Sequence, residues 1–286
     1  MNKLYKTVQQ ATPPIIFNAF KHSFLYQKAK PTLKKLFDTK LPPQWNQINT
    51  GILKGTWLYF YPRGDWQEKM LKEEYDKELF DAIRKFDLKG KTIFDIGSHV
   101  GYHSIFFSKL VGPSGKVLAF EPNPFNAKRI QENIDKNSIK NIKVYNIALS
   151  SENSETDFLF SENIENGTSS GGFIEASDTF YSKDSYENGI GFKRMKVATK
   201  RIDDLDEIKE GKLKVNVIKI DVEGAESLVF NGAMATIKKD RPIIFIEIHS
   251  MTNMYYFLNM LQDINYSCEL LKRESDGRHL IMASPK

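Results

Sequence analysis

The fold of this chain is decided by the stretch Thr92-Ile93-Phe94-Asp95-Ile96-Gly97-Ser98-His99-Val100-Gly101. Its first three residues show no apolar–polar alternation, as in a central parallel strand that is covered on both faces. A carboxylate and a glycine then end the strand and predict a tight turn. Gly97 can adopt a positive φ, and Gly101 allows the following helix to pack closely. The stretch therefore predicts a strand, a turn, and a helix whose N-terminus and neighbouring backbone amides face a ligand.

A second acidic strand end follows at the spacing expected of a nucleotide-type cofactor site. Residues 117–120 form another apolar run, and Glu121 and Pro122 come directly after it. In doubly wound folds, an acidic residue about 20 residues past the glycine turn accepts hydrogen bonds from the ribose hydroxyls of the cofactor. We therefore expect Glu121 to bind a ribose.

The glycine spacing distinguishes two cofactors that such a site could hold. A dinucleotide needs Gly-x-Gly-x-x-Gly so that its pyrophosphate can approach bare backbone, and here His99 replaces the middle glycine. A side chain at this place obstructs a diphosphate but leaves room for a smaller, cationic amino-acid group, and Asp95 supplies negative charge. The sequence thus favours S-adenosylmethionine, with an NAD-dependent oxidoreductase or epimerase as the alternative.

Alternating strands and helices extend this unit over most of the chain. Apolar runs predict strands at 92–96, 116–120, 142–148, 215–221 and 242–249, with helices in the intervening segments. This order indicates an α/β, doubly wound, Rossmann-like sheet of mostly parallel strands joined by right-handed crossovers.

Further elements flank this core. Periodic apolar residues predict one amphipathic helix over 67–89, and another helix is expected over 224–238. Two apolar segments near the C-terminus are joined by Asp276-Gly277, which predicts a hairpin. We therefore divide the chain into a basic N-terminal appendage, 1–66, and a main domain, 67–286.

Composition limits the class of protein. With 286 residues, of which 41% are hydrophobic, the chain can bury the core of one α/β domain. Its single cysteine, Cys268, excludes an intramolecular disulfide framework, and no segment approaches the ~20 apolar residues of a membrane span. These features predict a cytoplasmic protein.

The basic excess is confined to the N-terminal part. Residues 1–50 carry eight lysines and one acidic residue, whereas the remainder is slightly more acidic than basic. We therefore expect no nucleic-acid-binding surface on the main domain. Phenylalanines and leucines among the lysines predict either a peripheral contact with an anionic membrane, such as the inner membrane surface, or a helical arm packed on the domain or on a second copy of the chain. A membrane-docked binding protein without catalytic activity is a further alternative.

Residues 150–195 interrupt the alternation with a run rich in Ser, Asn, Gly and Glu. No core strand or helix is expected there. A long polar insertion in a compact domain is usually either functional or disordered, and aromatic residues such as Phe173 and Tyr181 favour a lid over the substrate. The alternative is a solvated hairpin without a functional role.

A second group of polar side chains lies at the ends of the later predicted strands. Asp221 and Glu223 follow the fourth strand, and Glu247 and His249 end the fifth. Ligands of open α/β sheets bind at the carboxyl ends of the strands. One such carboxylate alone could be a helix cap, but the whole group predicts a functional site.

The residues around this group resemble a known family. Lys219-Ile220-Asp221-Val222-Glu223-Gly224-Ala225-Glu226, taken with Asn231-Gly232-Ala233 and with Phe120-Glu121-Pro122-Asn123, resembles the FkbM family of S-adenosylmethionine-dependent methyltransferases. The resemblance spans roughly residues 67–250. It implies a class I methyltransferase fold with a seven-stranded sheet whose last strand is antiparallel. It also implies methylation of a hydroxyl group on a sugar, a glycolipid or a natural product.

Methyl transfer from a sulfonium is an in-line displacement, so the nucleophile must be held close to the methyl carbon and water must be excluded. A base within hydrogen-bond reach assists a hydroxyl nucleophile. His249 is the first candidate because the ordinary pKa of histidine suits a base at neutral pH, and Glu223 is the second. Asp221, Glu223, Glu247 and His249 could alternatively hold a divalent ion, but no metal-ligand spacing is present and no metal is predicted.

These arguments yield two sets of predicted residues. The predicted cofactor-binding residues are Asp95, Gly97, Ser98, His99, Gly101, Glu121, Pro122, Ala148 and Asp221. The predicted catalytic residues are His249, Glu223 and Asp221. The expected partner is a small-molecule or glycan acceptor, and the chain could form a homo-oligomer.

Overall fold

The computed structural model of the chain describes residues 43–60, 65–161, 171–178 and 192–286. The strands in these ranges are β1 Gln44–Gln47, β2 Trp57–Phe60, β3 Thr92–Ile96, β4 Lys116–Phe120, β5 Ile142–Tyr145, β6 Ala148–Leu149, β7 Ser154–Ser161, β8 Phe173–Ile174, β9 Phe192–Lys200, β10 Val217–Ile220, β11 Ile243–Ile248, β12 Tyr266–Arg273 and β13 His279–Pro285. The α-helices are α1 Asp65–Leu71, α2 Lys77–Ile83, α3 Tyr102–Val111, α4 Pro124–Lys136, α5 Asp206–Lys209, α6 Glu226–Gly232, α7 Met234–Asp240 and α8 Met251–Asp263, and one 3-10 turn spans Ile202–Asp204.

The central sheet has seven strands in the order β5-β4-β3-β10-β11-β13-β12. Neighbouring strands from β5 to β11 are parallel, whereas β13 is antiparallel to both β11 and β12. The predicted fold class, a doubly wound sheet with an antiparallel last strand, is confirmed. The hairpin predicted at Asp276-Gly277 is also present, since it joins β12 to β13.

Helices cover both faces of this sheet. Ile93 and Phe94 are neighbours on β3 and point to opposite faces, which explains why the strand shows no polar alternation. Ile93 packs in a layer with residues of α2 and α3, and Phe94 packs in a layer with residues of α6, α7 and α8. The carboxyl ends of the parallel strands therefore meet along one edge between two covered faces.

The single helix predicted over 67–89 is wrong, because the chain forms α1 and α2 with a break between them. Glu73 and Asp76 have φ values of 56° and 51°, which an α-helix cannot contain. The break directs the Glu73 carboxylate inward, where it accepts a hydrogen bond from the Leu53 N–H at 2.8 Å and pairs with Arg84. The apolar residues keep their helical spacing across this break. The spacing therefore indicated which residues face the core, and not that the helix is unbroken.

The helix predicted over 224–238 is likewise two helices, α6 and α7. The second begins where Asp203 supplies an acceptor for its first backbone donors: the N–H groups of Thr236 and Ala235 donate to the Asp203 carboxylate at 2.8 and 3.0 Å. Because this cap comes from a distant turn, nothing in the local pattern predicted it.

The polar insertion contains strands, contrary to expectation. A four-stranded sheet has the order β6-β9-β7-β8, and β7 pairs over its whole length with residues 192–199 of β9. The strand predicted over 142–148 ends at Tyr145, and Ala148 begins the short strand that joins this second sheet to the domain. Buried side chains of Phe158 and Phe160 anchor the sheet. Residues 162–170 and 179–191, including Tyr181, lie outside the described residues, and the lid function stays a prediction.

Part of the predicted appendage packs in the main core. Residues 43–60 form the β1–β2 hairpin, and its Leu58 and Phe60 are buried together with Phe80 of α2. Asn133 of α4 connects this hairpin to the first glycine turn, since it accepts from the Tyr59 N–H at 3.0 Å and donates to the Val100 carbonyl at 2.8 Å. Residues 43–60 therefore belong to the main domain. Residues 1–42, the lysine-rich leader, contain all eight of the lysines counted above and lie outside the described residues. Within the described ranges, no helix is long and apolar enough to cross a bilayer.

Candidate active site

A cavity of about 390 Å³ opens at the carboxyl ends of β3, β4, β10 and β11, and the second sheet closes one side of it. Its volume is in the range of small-molecule sites. The predicted site residues that line it are Gly97, His99, Glu121, Pro122, Ala148, Asp221 and Glu223. The predicted site residues that lie behind this lining are Asp95, Ser98, Gly101 and His249.

The first glycine turn adopts the conformation expected from its sequence. Gly97 and Gly101 have φ values of 77° and 81°. A Cβ atom on Gly97 would lie 1.8 Å from the carbonyl oxygen of Asp221, so this glycine permits β3 and β10 to end in close contact. A Cβ atom on Gly101 would lie 3.0 Å from Ile130 of α4. The two glycines therefore allow the end of β10 and the helix α4 to pack closely against the turn.

The backbone amides of this turn have partners inside the protein. The N–H groups of Gly97 and Ser98 donate to the Phe120 carbonyl at 3.0 and 3.1 Å, and the N–H of His99 donates to the Glu121 carboxylate at 2.8 Å. The expectation that these amides face a ligand is wrong for these three residues. They hold β4 against the turn and orient Glu121.

Glu121 is fixed at the edge of the cavity by three donors. Besides His99, the N–H of Asn123 and the side-chain amide of Asn126 donate to its carboxylate at 3.0 and 3.2 Å. Burial outweighs these hydrogen bonds and raises the pKa of Glu121 to about 7. A carboxyl group held in this way can receive the two hydroxyls of a ribose.

His99 contributes a neutral ring to the same end of the cavity. Its φ is 51°, a left-handed conformation that is uncommon for a residue with a side chain. Its ring lies 6.4 Å from that of Trp66, centroid to centroid. Burial lowers the pKa of His99 to about 4, so the ring adds no positive charge at neutral pH. This end of the cavity suits a cationic ligand.

Lys219 is a site residue that the sequence analysis did not identify. The side chain is buried in β10, donates to the Gly97 carbonyl at 3.0 Å, and lies 3.4 Å from Asp221 and 3.6 Å from Asp95. Although burial opposes a charge, Asp221 and Asp95 raise the pKa of Lys219. A lysine inside the apolar run of β10 indicates a buried ion pair, but one of its partners, Asp95, is on the neighbouring strand β3.

Asp95 consequently supports the turn from beneath. It is fully buried, accepts a hydrogen bond from the Ser104 hydroxyl, and lies beside the Lys219 ammonium. Ser98 is also buried, and its hydroxyl donates to the Asp95 carbonyl at 2.7 Å. The structure places both residues where they can position the cavity wall without lining it.

His249 is held by a buried carboxylate that the sequence analysis quoted but gave no role. Its Nδ1 lies 2.7 Å from the Glu226 carboxylate, which also accepts from the Gly224 N–H at 2.9 Å and from the Asn253 side chain at 2.7 Å. Although burial favours the neutral ring, the hydrogen bond to Glu226 and the nearby charge of Asp221 raise the pKa of His249 to about 9. The ordinary pKa on which the first choice of base relied does not apply here.

Carboxylates line the cavity in front of His249. The Nε2 atom of His249 lies 3.4 Å from Glu223 and 3.8 Å from Asp221. Burial and the charge of Asp221 raise the pKa of Glu223, and the same two causes raise the pKa of Glu247 to about 8. Arg278, from β12–β13, lines the cavity and pairs with Glu247 at 2.8 Å. This end can accept hydrogen bonds or a proton.

The cavity thus joins a ribose-type carboxylate and a neutral ring at one end to acidic acceptors at the other. Residues 95–268, more than half of the chain, match the family model described as the Methyltransferase FkbM domain. The chain belongs to the FkbM methyltransferase family. The resemblance noted from the sequence is confirmed, and so are the methyltransferase activity and S-adenosylmethionine as the methyl donor. The NAD-dependent and the non-catalytic alternatives are thereby removed.

Two methyltransferases and one solved structure show similarity to this chain. Hexuronic acid methyltransferase AglP of Haloferax volcanii is 29% identical over 219 residues, which are 76% of this chain and 79% of that protein. The 2-O-methyltransferase NoeI of Sinorhizobium fredii is 28% identical over 169 residues, which are 58% of this chain and 65% of that protein. A crystal structure of Methyltransferase FkbM from Methylobacillus flagellatus KT aligns over 77% of this chain and 55% of that chain, with 14% identity and a TM-score of 0.46.

The residues at the cavity fit the family's cofactor. Glu121 presents a fixed carboxyl for ribose hydroxyls, and the neutral ring of His99 does not repel a sulfonium or an ammonium group. Ala148 and Asp221 line the same cavity.

Proposed function

We propose that this methyltransferase transfers a methyl group to a hydroxyl of a saccharide or a related small-molecule acceptor. The observation that carries the proposal is that one cavity contains both the Glu121 end and the carboxylates Asp221, Glu223 and Glu247. Carboxylate oxygens are hydrogen-bond acceptors, and sugar hydroxyls are donors that match them. The names of the two related proteins, a hexuronic acid methyltransferase and a 2-O-methyltransferase, support this class of acceptor.

In this proposal the cofactor lies along the predicted residues of the cavity wall: Gly97, His99, Glu121, Pro122, Ala148 and Asp221. Asp95, Ser98 and Gly101 position the wall from behind. When bound, S-adenosylmethionine supplies a sulfonium methyl carbon that is open to in-line attack. The chain then has to orient the acceptor oxygen toward that carbon and exclude water.

Glu223 is the residue that we propose as the base. It lines the cavity, whereas His249 is 2% exposed and lies behind it. A raised carboxyl pKa improves proton acceptance at neutral pH, and His249 with a pKa of about 9 holds its proton there. Glu223 also has a φ of 53°, and such backbone strain is frequent at functional positions. The protonated His249, whose Nε2 lies 3.4 Å from Glu223, then orients Glu223 and balances its charge.

Incubation with labelled S-adenosylmethionine and a panel of neutral and uronic-acid saccharides, followed by mass spectrometry, tests the proposal. The expected product is a saccharide with one added O-methyl group. Cofactor binding measured by calorimetry without methylation of any saccharide would contradict the acceptor class.

Glu223→Gln tests the proposed base. Loss of proton acceptance should lower kcat by about 10²-fold or more, with little change in the Kd of the cofactor. Glu132→Gln is the matched control, because Glu132 has a 41% exposed side chain on α4. A kcat of Glu223→Gln equal to that of the control would exclude Glu223 as the base.

We also propose that the lysine-rich leader makes a peripheral membrane contact. The eight lysines among residues 1–50 and the apolar residues between them support it. Flotation with anionic vesicles, using the full chain with these lysines replaced by glutamine as the comparison, tests the idea, and equal partitioning would reject it. Replacement is preferable to deletion of residues 1–50, since 43–60 pack in the core. The cytoplasmic location and homo-oligomer formation stay predictions.

A further inference from the structure

Three potential metal ligands meet at the acidic end of the cavity. Asp221, Glu247 and His249 each offer one ligand atom, and these atoms lie within 4.8 Å of one another. Ligands at about 2.0–2.2 Å from a common ion lie up to ~4.4 Å apart, so a small inward movement would complete the contact. The three residues come from the ends of β10 and β11, which are neighbouring parallel strands.

The His249 ring is oriented as a metal ligand. Its Nδ1 is hydrogen-bonded to Glu226 at 2.7 Å, and both side chains are almost fully buried. Its Nε2 is buried, has no hydrogen-bond partner among the described residues, and faces Asp221 at 3.8 Å. A ligating histidine in proteins usually donates its other ring N–H to a carboxylate, which fixes the tautomer and the ring plane. Glu226 occupies that position.

The charges around the ring favour a cation. Asp221, Glu223 and Glu247 face His249 from the cavity side, and Glu226 faces it from behind. The described cations that contact this group are Lys219, 3.4 Å from the Oδ2 of Asp221, and Arg278, 2.8 Å from the Oε1 of Glu247. Each cation thus approaches one oxygen of its carboxylate and leaves the second oxygen for another partner.

We propose that Asp221, Glu247 and His249 bind a divalent metal ion, with Glu226 as the residue that positions the imidazole. Two carboxylates and one imidazole suit Mn²⁺ or a similar transition metal better than Mg²⁺, which prefers oxygen ligands alone. Binding of the ion would displace the protons that His249 and Glu247 otherwise hold near neutral pH, because a metal binds the deprotonated forms. Three protein ligands would leave coordination positions on the cavity side. There the ion would orient neighbouring hydroxyls of the acceptor, and Glu223 remains free to accept a proton. This function in catalysis rests on the proposed methyl transfer, whereas the binding site itself does not.

Titration of the chelator-treated full chain with Mn²⁺, followed by the paramagnetic resonance of free Mn²⁺, tests the site without cofactor or acceptor. We expect one tightly bound ion per chain. Asp221→Asn and Glu247→Gln should each weaken binding at least tenfold, and Glu226→Gln should weaken it about 10–100-fold through the lost support of the ring. Glu132→Gln should bind as the wild type does, and circular dichroism of each variant identifies any that fails to fold.

Absence of Mn²⁺ binding by the wild type at millimolar concentration would overturn the proposal. Equal binding by the folded Asp221→Asn and Glu247→Gln variants would overturn it as well. The outcome is separable from that of the proposed function. Mn²⁺ binding that depends on these residues supports the site even if no saccharide is methylated, whereas full methylation by a metal-free protein that binds no Mn²⁺ rejects the site and leaves the methyl transfer intact.

Discussion

Gly97→Ala should destabilise the fold and displace a wall of the cavity. The added Cβ would lie 1.8 Å from the carbonyl oxygen of Asp221 and 2.9 Å from its carbonyl carbon. Both atoms belong to the backbone at the end of β10, so no side-chain rotation can relieve the contact. The substitution therefore has to move β10 and β3 apart or to change the turn.

The magnitude follows from two effects. Alanine in a left-handed conformation costs about 1–2 kcal/mol, and Gly97 has a φ of 77°. Insertion of an extra methyl group into a closely packed site costs about 1–3 kcal/mol. We therefore expect the free energy of unfolding to fall by about 2–5 kcal/mol. The affinity for S-adenosylmethionine should fall too, because Asp221 and Gly97 are both in the cavity wall.

Gly211→Ala is a matched control for the backbone effect. Gly211 has a φ of 63°, and a Cβ there would meet none of the described residues within 4 Å. Its substitution should cost only the conformational part, about 1–2 kcal/mol. Urea denaturation of the two variants isolates the steric part as their difference, about 1–3 kcal/mol. Losses equal within about 0.5 kcal/mol would refute the argument that close contact with Asp221 requires a glycine.

Two further predictions concern stability. Burial raises the pKa of Glu121 from 4.5 to about 7, so the fold favours its protonated form; the stabilisation from this group is complete below about pH 4.5 and is lost as the pH rises through about 7. The Glu121→Gln variant has no titrating group at this position and serves as the reference. The difference between the unfolding free energies of the wild type and this variant, measured by urea denaturation, should change by about 2–3 kcal/mol between about pH 5 and about pH 9. A difference independent of pH would contradict the assignment. Asn133→Leu removes the hydrogen bonds to the Tyr59 N–H and the Val100 carbonyl, and we expect a loss of about 2–4 kcal/mol by chemical denaturation. Gln131→Leu, an exposed change on the same helix, should alter stability by less than about 0.5 kcal/mol, and an equal effect of the two would show that Asn133 does not connect the hairpin to the glycine turn.

The strands at the centre of the sheet could be predicted because their residues face helices on both sides. Residues 92–96 and 116–120 were predicted with the bounds that the structure has. The turn after β3 could be predicted because only glycine readily adopts the positive φ found at Gly97 and Gly101. In contrast, the breaks between α1 and α2 and between α6 and α7 depend on Glu73 and Asp203 binding distant backbone groups.

The sequence indicated which residues lie near the candidate site better than it indicated their chemical roles. Glu121, Asp221 and Glu223 could be identified because each follows a predicted strand, and the carboxyl ends of parallel strands share one edge. Lys219 was missed because it stands inside an apolar run, and its partner Asp95 is on the neighbouring strand. Glu226 was missed because a carboxylate in the first turn of a helix is ordinarily exposed, whereas here it is 1% exposed.

The sequence by itself determined which residues end the strands, where the chain must turn, and to which family it belongs. These properties depend on local conformational preference and on short spacings along the chain. Only the tertiary structure decided the state of His249, because the ionisation and orientation of a buried ring depend on charges that other segments bring within a few ångströms. Glu226 binds one nitrogen of this ring, and Asp221 and Glu223 face the other. The residue that the sequence suggests as a base is thereby buried, and the carboxylate of Glu223 in front of it lines the cavity.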